Sequence, residues 1–305
     1  MNDGQSVLSR RQFGAASLAT VAAAALPSTL SAAARARAAD KRFCVFIKFL
    51  NDLSYDELAE SMAEFGFSGV EATIRSNDGY IRPEAAAVEL PKFQKVLEKN
   101  GLSLTIVTTD ILSADQKHAD VVLKAAADAG APRYRMGFYK YDNQQPIVEQ
   151  ITALKPTFDA LAELNREAGI AGVYQNHAGA DYFGSTLWDL YYVLKDYSPE
   201  EIGCVYDLRH AAVEAGESWP TLHAVLKPHI TAYSVKDFKW NGRKSQHMPL
   251  GEGLVDPNFY KTLAESEYQG PVSLHVEYLK DGDPKKQLAA VKRDFAVLRG
   301  WMKED

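Results

Sequence analysis

Short apolar runs alternate with amphipathic segments along most of the chain, from about residue 43 onward. Each run is rich in β-branched or aromatic residues, which favours a strand, and each is followed by apolar residues at helical spacing. The pattern therefore predicts eight strand–helix units. The predicted strands are 43–47, 69–74, 104–108, 133–137, 171–175, 202–206, 230–235 and 272–277.

Local signals predict where the helices begin and end. Ser54 and Glu57 have the spacing of a capping box, which predicts the start of the first helix, and Pro91 predicts the start of the second. Two longer helices are predicted at about 147–167 and 284–302, the latter with apolar residues on one face. Three glycines are placed to end helices in the left-handed conformation, namely Gly101, Gly130 and Gly169.

This alternation of strands and helices permits an open doubly wound sheet or a closed barrel. An open nucleotide-binding sheet usually has a glycine-rich phosphate loop after its first strand, and the sequence has none there. We therefore predict that residues 40–305 form a single (β/α)8 barrel domain. In such a barrel the chemistry collects at the carboxyl ends of the strands.

The first 39 residues differ in composition from the rest and predict an export signal. Arg10 and Arg11 precede a mild apolar stretch over 15–26, which is the order expected of a twin-arginine signal. The stretch is short for a membrane span, and 36–38 offers a cleavage site. We expect export by the Tat machinery to the periplasm, removal of residues 1–39 and no stable membrane anchor. A disordered basic tail is the alternative interpretation.

The net charge argues against a nucleic-acid partner, and the positions of the cysteines argue against a disulfide. The net charge is −6, and the loss of residues 1–39, which carry four Arg and one Asp, lowers it to −9. We therefore expect no nucleic-acid partner. Cys44 and Cys204 fall in predicted strands that are not neighbours in a barrel, so we expect buried free thiols rather than a disulfide.

Polar side chains follow the last four predicted strands at the point where each strand ends. Because these ends open at one mouth of a barrel, we expect the side chains to lie close together. Carboxylates and imidazoles bind divalent cations or act as acid and base, although each residue alone is also explained as a solvated strand-end group. The residues are Gln175, His177, Asp207, His210, Ser234, Lys236, His275 and Glu277.

The order and spacing of five segments carry a family resemblance. The segments are 66–71 (GFSGVE), Tyr206-Asp207 with His210 three residues on, 235–237 (VKD), 249–253 (PLGEG) and 275–277 (HVE). With them the chain resembles the sugar phosphate isomerase and epimerase branch of the xylose-isomerase-like barrels, from about residue 43 to residue 298.

The resemblance implies a divalent metal, manganese or a similar ion, held by Glu, Asp, His and Glu from strands five to eight. Asp207 and Glu277 match two of these ligands, whereas Gln175 replaces the first Glu and Ser234 replaces the His. An amide and a hydroxyl are weaker ligands than the groups they replace. We predict a metal site of Gln175, Asp207 and Glu277 whose occupancy is left open. Three imidazoles are candidate substitute ligands: His177, His210 and His275.

The resemblance also implies proton abstraction next to a carbonyl group. Glu277 is the single matching carboxylate base, which favours a single-base isomerase or a lyase over a two-base epimerase. His177 or His210 is a candidate second acid–base group, because an imidazole titrates near neutral pH. Lys236 is predicted to donate to a sugar oxygen or an enolate. The alternative for Lys236 is a strand-end salt bridge, and alternation should turn the adjacent Asp237 away from the lumen.

Further side chains are predicted to bind the substrate. Tyr182 and Trp240 are interpreted as loop residues whose rings stack on a sugar, with core packing as the alternative. Arg135 is a candidate ligand for hydroxyls or a carboxylate, or else part of a buried ion pair. Glu71 resembles an acidic family residue that contacts ligand, or is a structural acceptor. His275 is expected to face the lumen on the same side as Glu277.

The sequence thus predicts an exported carbohydrate isomerase or epimerase that acts on a small sugar or keto sugar, with possible assistance from a divalent metal. No phosphate-binding motif is visible, so an unphosphorylated substrate is favoured. The alternatives are a keto-sugar lyase of the same fold and a non-catalytic sugar-binding barrel with a decayed metal site. A nuclease of the same superfamily conflicts with the negative charge. Oligomerisation is left open.

Overall fold

The computed structural model describes residues 43–279 and 282–303, and the predicted export signal lies outside these residues. Eight of ten strands are parallel and close into a barrel, so the predicted fold class is confirmed. In chain order the strands are β1 (Phe43–Phe46), β2 (Gly69–Ile74), β3 (Ser103–Thr109), β4 (Arg133–Arg135), β5 (Ala171–Gln175), β6 (Ile202–Asp207), β7 (Ile230–Val235), β8 (Asp237–Asn241), β9 (Lys244–Met248) and β10 (Val272–Leu274).

The barrel strands follow the order β1-β10-β7-β6-β5-β4-β3-β2, whereas β8 and β9 form a separate antiparallel hairpin. Helices connect the parallel strands, and no helix of the described residues is long and apolar enough to cross a bilayer. The helices are α1 (Tyr55–Phe65), α2 (Ala86–Lys99), α3 (Ala119–Asp128), α4 (Ile147–Ala168), α5 (Trp188–Leu194), α6 (Leu208–Ala215), α7 (Trp219–Leu226), α8 (Pro257–Glu265) and α9 (Pro284–Trp301).

The inside of the barrel has an apolar layer beneath a polar one. Four small or branched residues from β3, β5, β6 and β7 pack together as a cluster separate from the main core: Ile106, Val173, Val205 and Ala232. Side chains two positions further along a strand point to the same side. These positions hold Thr108, Gln175, Asp207 and Ser234, all of them buried. Strand alternation therefore places a polar floor at the carboxyl end of the barrel.

Seven of the eight predicted strand starts are confirmed, and β4 ends two residues earlier than predicted. β2, β5 and β7 have the predicted bounds, and Ser54 and Glu57 form the capping box at the start of α1. The three predicted helix-ending glycines have positive φ. The last barrel strand is shorter than predicted and ends at Leu274, so His275 and Glu277 lie in the segment that follows it.

The predicted helix start at Pro91 is wrong, because Pro91 lies inside α2. A 3₁₀ turn at Pro83–Ala85 leads into the helix instead, with Pro83 in the first position. Pro91 removes one backbone donor from the helix, but Pro91 and Ala87, whose carbonyl loses that partner, are both exposed. Water can therefore bind the freed carbonyl, and the helix continues.

The two cysteines are buried free thiols, as predicted. Cys44 lies on β1 and Cys204 on β6. Burial, together with the charge of Glu71, raises the pKa of the Cys44 thiol to about 12. A thiol that stays protonated is a poor nucleophile and metal ligand, so Cys44 serves packing.

The hairpin of β8 and β9 was not predicted. Asn241 pairs with Lys244 across a tight turn in which Gly242 has a φ of 61°. The placement of Trp240 in a loop is therefore wrong, since Trp240 lies within β8. The dipeptide Asn241-Gly242 is a strong hairpin signal that the strand–helix alternation had obscured.

Candidate active site

Lys236 bridges two carboxylates at the mouth of the barrel. It follows β7 directly, and its Nζ lies 3.2 Å from Asp207 Oδ2 and 2.8 Å from Glu277 Oε2. The side chains of Lys236 and Asp207 are buried, whereas that of Glu277 is 29% exposed. The ends of β6 and β7 and the segment after β10 thus share one site, with Glu277 as its accessible carboxylate.

Gln175, at the end of β5, extends this site through its amide. Its Nε2 donates to Asp207 Oδ2 at 2.8 Å and to Ser234 Oγ at 3.3 Å. Its Oε1 accepts from Arg135 Nη1 at 2.6 Å. Because both ends of the amide are bonded, Gln175 holds Asp207 in place.

A second buried cluster surrounds Glu71 on β2. Its Oε1 accepts from Thr108 Oγ1 at 2.6 Å and lies 3.3 Å from Arg135 Nη1. Its Oε2 accepts from Ser273 Oγ at 2.6 Å and from His275 Nε2 at 3.1 Å. Burial opposes ionisation of Glu71, but Arg135 and His275 outweigh it and hold the pKa far below its usual value.

Arg135 and His275 thus both contact Glu71, and all three residues are almost fully buried. His275 also stacks on Phe46, with ring centroids 4.5 Å apart. This cluster orients Gln175 through Arg135. A direct contact of the three residues with substrate remains a prediction.

His210 presents an unsatisfied donor beside Asp207. Its Nδ1 accepts from the backbone N–H of Ala178 at 3.1 Å and from Arg209 Nη1 at 2.9 Å. The proton of the neutral ring must therefore be on Nε2, which is buried without a hydrogen-bond partner among the described residues. This Nε2 lies 3.7 Å from Asp207 Oδ2, too far for a hydrogen bond. A ligand oxygen would satisfy it.

The ring of His177 packs against that of His210 at a tilt of 36°, with ring centroids 4.0 Å apart. Its Nδ1–H donates to the carbonyl of Ala178 at 2.9 Å, which leaves the lone pair on Nε2. Burial and the positive charge of Lys236 lower the pKa of His177 to about 4. His177 is therefore neutral at neutral pH and able to accept a proton.

The pKa of Glu277 is also shifted. Burial opposes its ionisation, but the charge of Lys236 and then that of His275 outweigh burial, so the pKa lies well below its usual value. Glu277 is an ionised carboxylate in the resting site. It becomes a stronger base if a ligand oxygen draws Lys236 away.

The two aromatic residues predicted to stack on a sugar, Tyr182 and Trp240, lie in different parts of the structure. The ring of Tyr182 packs on His177 at 4.6 Å and on Phe138 at 5.6 Å, so it borders the site. Trp240 is 46% exposed on the hairpin and packs edge-on against Phe238 at 5.7 Å. Tyr182 is thus adjacent to the histidine pair, whereas no described contact joins Trp240 to the polar site.

Asp237 anchors the hairpin and the loop that follows it. Its carboxylate accepts from the backbone N–H groups of four residues: Phe238, Gly251, Gly253 and Val255. A Cβ on Gly253 would lie 2.2 Å from Asp237 Oδ1, so the close approach requires glycine. Asp237 therefore has a structural role, and Lys236 pairs with Asp207 and Glu277 rather than with its neighbour.

Sequence reasoning missed several residues that position the site. Arg209 donates to His210 and also to Ser245 Oγ on β9 at 2.9 Å, which joins the hairpin to the histidine pair. Thr108 and Ser273 complete the shell of Glu71. Thr108 follows Ile106 by two positions, and Ser273 precedes His275 by two. Strand parity could have identified both.

The donor set does not fit a divalent metal. Gln175 turns its Oε1 to Arg135, and the ammonium of Lys236 contacts the carboxylates of Asp207 and Glu277. Within 43–279 and 282–303, no group of three or more His, Cys, Asp or Glu side chains could hold a metal ion. The predicted metal ligands are therefore close together but already bound to other groups.

A family model described as xylose isomerase-like TIM barrel matches residues 59–301. The chain belongs to this family. No curated protein matches the chain in sequence.

Solved structures of the same fold cover most of the chain. D-psicose 3-epimerase with D-tagatose from Clostridium cellulolyticum H10 has a TM-score of 0.66 and 11% identity, over 86% of this chain and 100% of that one. The apo form of 3-keto-D-glucoside 4-epimerase from E. coli has a TM-score of 0.64 and 13% identity, over 85% and 99%.

A xylose isomerase-like TIM barrel protein from Mycobacterium smegmatis in complex with magnesium has a TM-score of 0.61 and 17% identity, over 86% and 98%. At these identities the similarity establishes the fold of this chain and not its reaction.

Proposed function

We propose that the chain is an enzyme of the carbohydrate isomerase and epimerase type, which transfers a proton at a carbon next to the carbonyl of a small keto sugar. The observation that carries the proposal is the position of Lys236 between Asp207 and Glu277, close to two neutral histidines. Two of the similar structures are sugar epimerases by description, which supports this substrate class.

In the proposed reaction Glu277 takes the proton from the carbon, since it is the accessible carboxylate of the site. The electron pair of the C–H bond forms a carbon–carbon double bond, and the π electrons of the carbonyl group move onto its oxygen, which becomes an enolate oxygen. In this proposal the N–H groups of Lys236 and His210 donate to that oxygen. No step is assigned to a metal.

The proton then returns to carbon from Glu277 or from a second acid–base group. His177 is our candidate for that group, because its Nε2 lone pair is free to carry a proton. Return to the same carbon from the other side gives an epimer. Return to the neighbouring carbon, with transfer of that carbon's hydroxyl proton to the enolate oxygen, gives an isomer. Loss of a hydroxyl group from the next carbon, which leaves as water with the proton that Glu277 removed, instead gives a dehydrated product and would indicate a lyase.

Proton exchange with solvent tests the proposal without knowledge of the product. The enzyme is incubated in D2O with D-psicose, D-tagatose, D-fructose and a 3-keto-D-glucoside, and NMR follows the protons next to each carbonyl. We expect deuterium to enter one such position of at least one sugar. Sugar binding without any exchange would favour a non-catalytic sugar-binding barrel.

We also propose that residues 1–39 direct export through the twin-arginine pathway to the periplasm. The supporting observation is the pair Arg10 and Arg11 ahead of a mild apolar stretch. Cell fractionation tests this proposal. The wild-type chain should be periplasmic and shortened near residue 39, whereas a variant with Arg10→Lys and Arg11→Lys should stay cytoplasmic.

A further inference from the structure

We infer that the ammonium of Lys236 is the resident cation of this site and replaces the divalent metal that the family resemblance implies. Lys236 Nζ contacts one oxygen each of Asp207 and Glu277, the two residues that match metal ligands of the family. The stabilisation of an enolate oxygen by Lys236 rests on the proposed function. The binding of its ammonium in place of a metal rests on the distances at the site.

The charges of the site support this inference. Gln175 and Ser234 are neutral, so Asp207 and Glu277 are the two negative groups among the residues at the ligand positions. The ammonium of Lys236 contacts both carboxylates and supplies a positive charge between them.

The orientation of the Gln175 amide also favours an ammonium over a metal at this position. Its Nε2–H group faces the oxygen of Asp207 that also contacts Lys236, and its Oε1 is turned toward Arg135. A metal at Lys236 Nζ would meet an N–H group there rather than a ligand oxygen. Ser234 accepts from the same Nε2 at 3.3 Å, so its hydroxyl is also engaged. The shell is built around an ammonium.

Lys236 also has an N–H donor available for a ligand. An ammonium has three N–H donors, of which one donates to Glu277 Oε2 at 2.8 Å, while Asp207 Oδ2 lies 3.2 Å from Nζ as an ion-pair partner. His210 Nε2–H is a second free donor, and both donors lie within 4 Å of Asp207 Oδ2. Two donors on one side of a site suit an oxygen with developing negative charge, such as the enolate oxygen of a keto sugar.

The test measures cation binding without any substrate. Full-length protein is treated with EDTA, and its melting temperature is measured with and without about 10 mM MnCl2, since a bound ion stabilises the folded state. Lys236→Ala frees both carboxylates, and Lys236→Gln does so with less change in volume. The matched control is Lys292→Ala, which removes a 64% exposed lysine that pairs with Glu64.

We expect manganese to leave the melting temperature of the wild type and of Lys292→Ala unchanged. We expect it to raise that of both Lys236 variants by about 4 °C, and electron paramagnetic resonance should detect stoichiometric bound manganese only in them. Manganese binding by the wild type, or none by either Lys236 variant, would overturn the inference. Absence of proton exchange with keto sugars would instead contradict the proposed function and leave the cation result standing.

Discussion

Arg135 fixes the orientation of the Gln175 amide. The Nη1 of Arg135 lies 2.6 Å from Gln175 Oε1, so the amide turns its Nε2 toward Asp207 at 2.8 Å. Arg135 is itself held by Glu71, at 3.3 Å. The buried cluster around Glu71 thereby determines which face of Gln175 the active site meets.

This relationship predicts that Gln175→Glu is destabilising although the two side chains have nearly the same shape. The new carboxylate loses the donor to Asp207 and lies against it, where two negative charges repel each other. We expect a loss of about 2–4 kcal/mol in the free energy of unfolding at neutral pH, measured by urea denaturation. The control Gln269→Glu, at an exposed position, should change the stability by less than about 0.5 kcal/mol.

Gly253→Ala tests the close approach of the loop to Asp237. The added Cβ would lie 2.2 Å from Asp237 Oδ1 and 2.4 Å from the carbonyl oxygen of Phe238, so the hairpin anchor must move. We expect a loss of about 2–4 kcal/mol. The matched variant is Gly300→Ala in α9, where no atom lies within 4 Å of the new Cβ. It should keep or raise the stability, by up to about 1 kcal/mol.

The half-buried His223 predicts a loss of stability in acid. Burial, and then the charge of Lys227, lower the pKa of His223 to about 4, below its value in the unfolded chain. Between these two pKa values the unfolded state binds more protons, so stability is lost as the pH falls through this range. The urea midpoint of His223→Gln should therefore fall less than that of the wild type between about pH 6.5 and pH 4. An equal fall in both proteins would contradict the assignment.

Glu277→Gln should abolish proton transfer while it preserves the fold. The amide keeps the shape of the side chain but cannot accept a proton from carbon, so we expect the exchange rate to fall by about 10²–10⁴-fold. Glu64→Gln, on the outer helix α1, is the control because Glu64 is 71% exposed. Its exchange rate should equal that of the wild type. An unchanged rate in Glu277→Gln would remove Glu277 from the mechanism.

Much of the fold could be predicted because its determinants are local. The apolar runs, the capping box at Ser54 and the helix-ending glycines each act within a few residues of themselves. Strand parity also extends to the site, since Gln175 and Asp207 follow Val173 and Val205 by two positions and share their side of the barrel. The closure of the barrel then brings them together.

The partners of Lys236 could not be predicted in this way. Asp207 and Glu277 lie 29 and 41 residues away in the chain, and the conformation of the long lysine side chain decides which of them it reaches. Asp237 is the acidic residue nearest to Lys236 in the sequence, but its carboxylate accepts from four backbone N–H groups and does not pair with Lys236. Side-chain pairs between distant segments need coordinates.

The most direct test of the role of Lys236 compares the solvent-exchange rate of the wild type with that of Lys236→Met, using a responsive keto sugar in D2O with EDTA present. Methionine has a similar length but no positive charge and no donor, so it cannot stabilise an enolate oxygen. The role of Lys236 as the resident cation predicts exchange by the wild type despite EDTA and a rate about 10²–10³-fold lower in Lys236→Met. A wild-type rate abolished by EDTA and restored by manganese, or an undiminished rate in Lys236→Met, would contradict it.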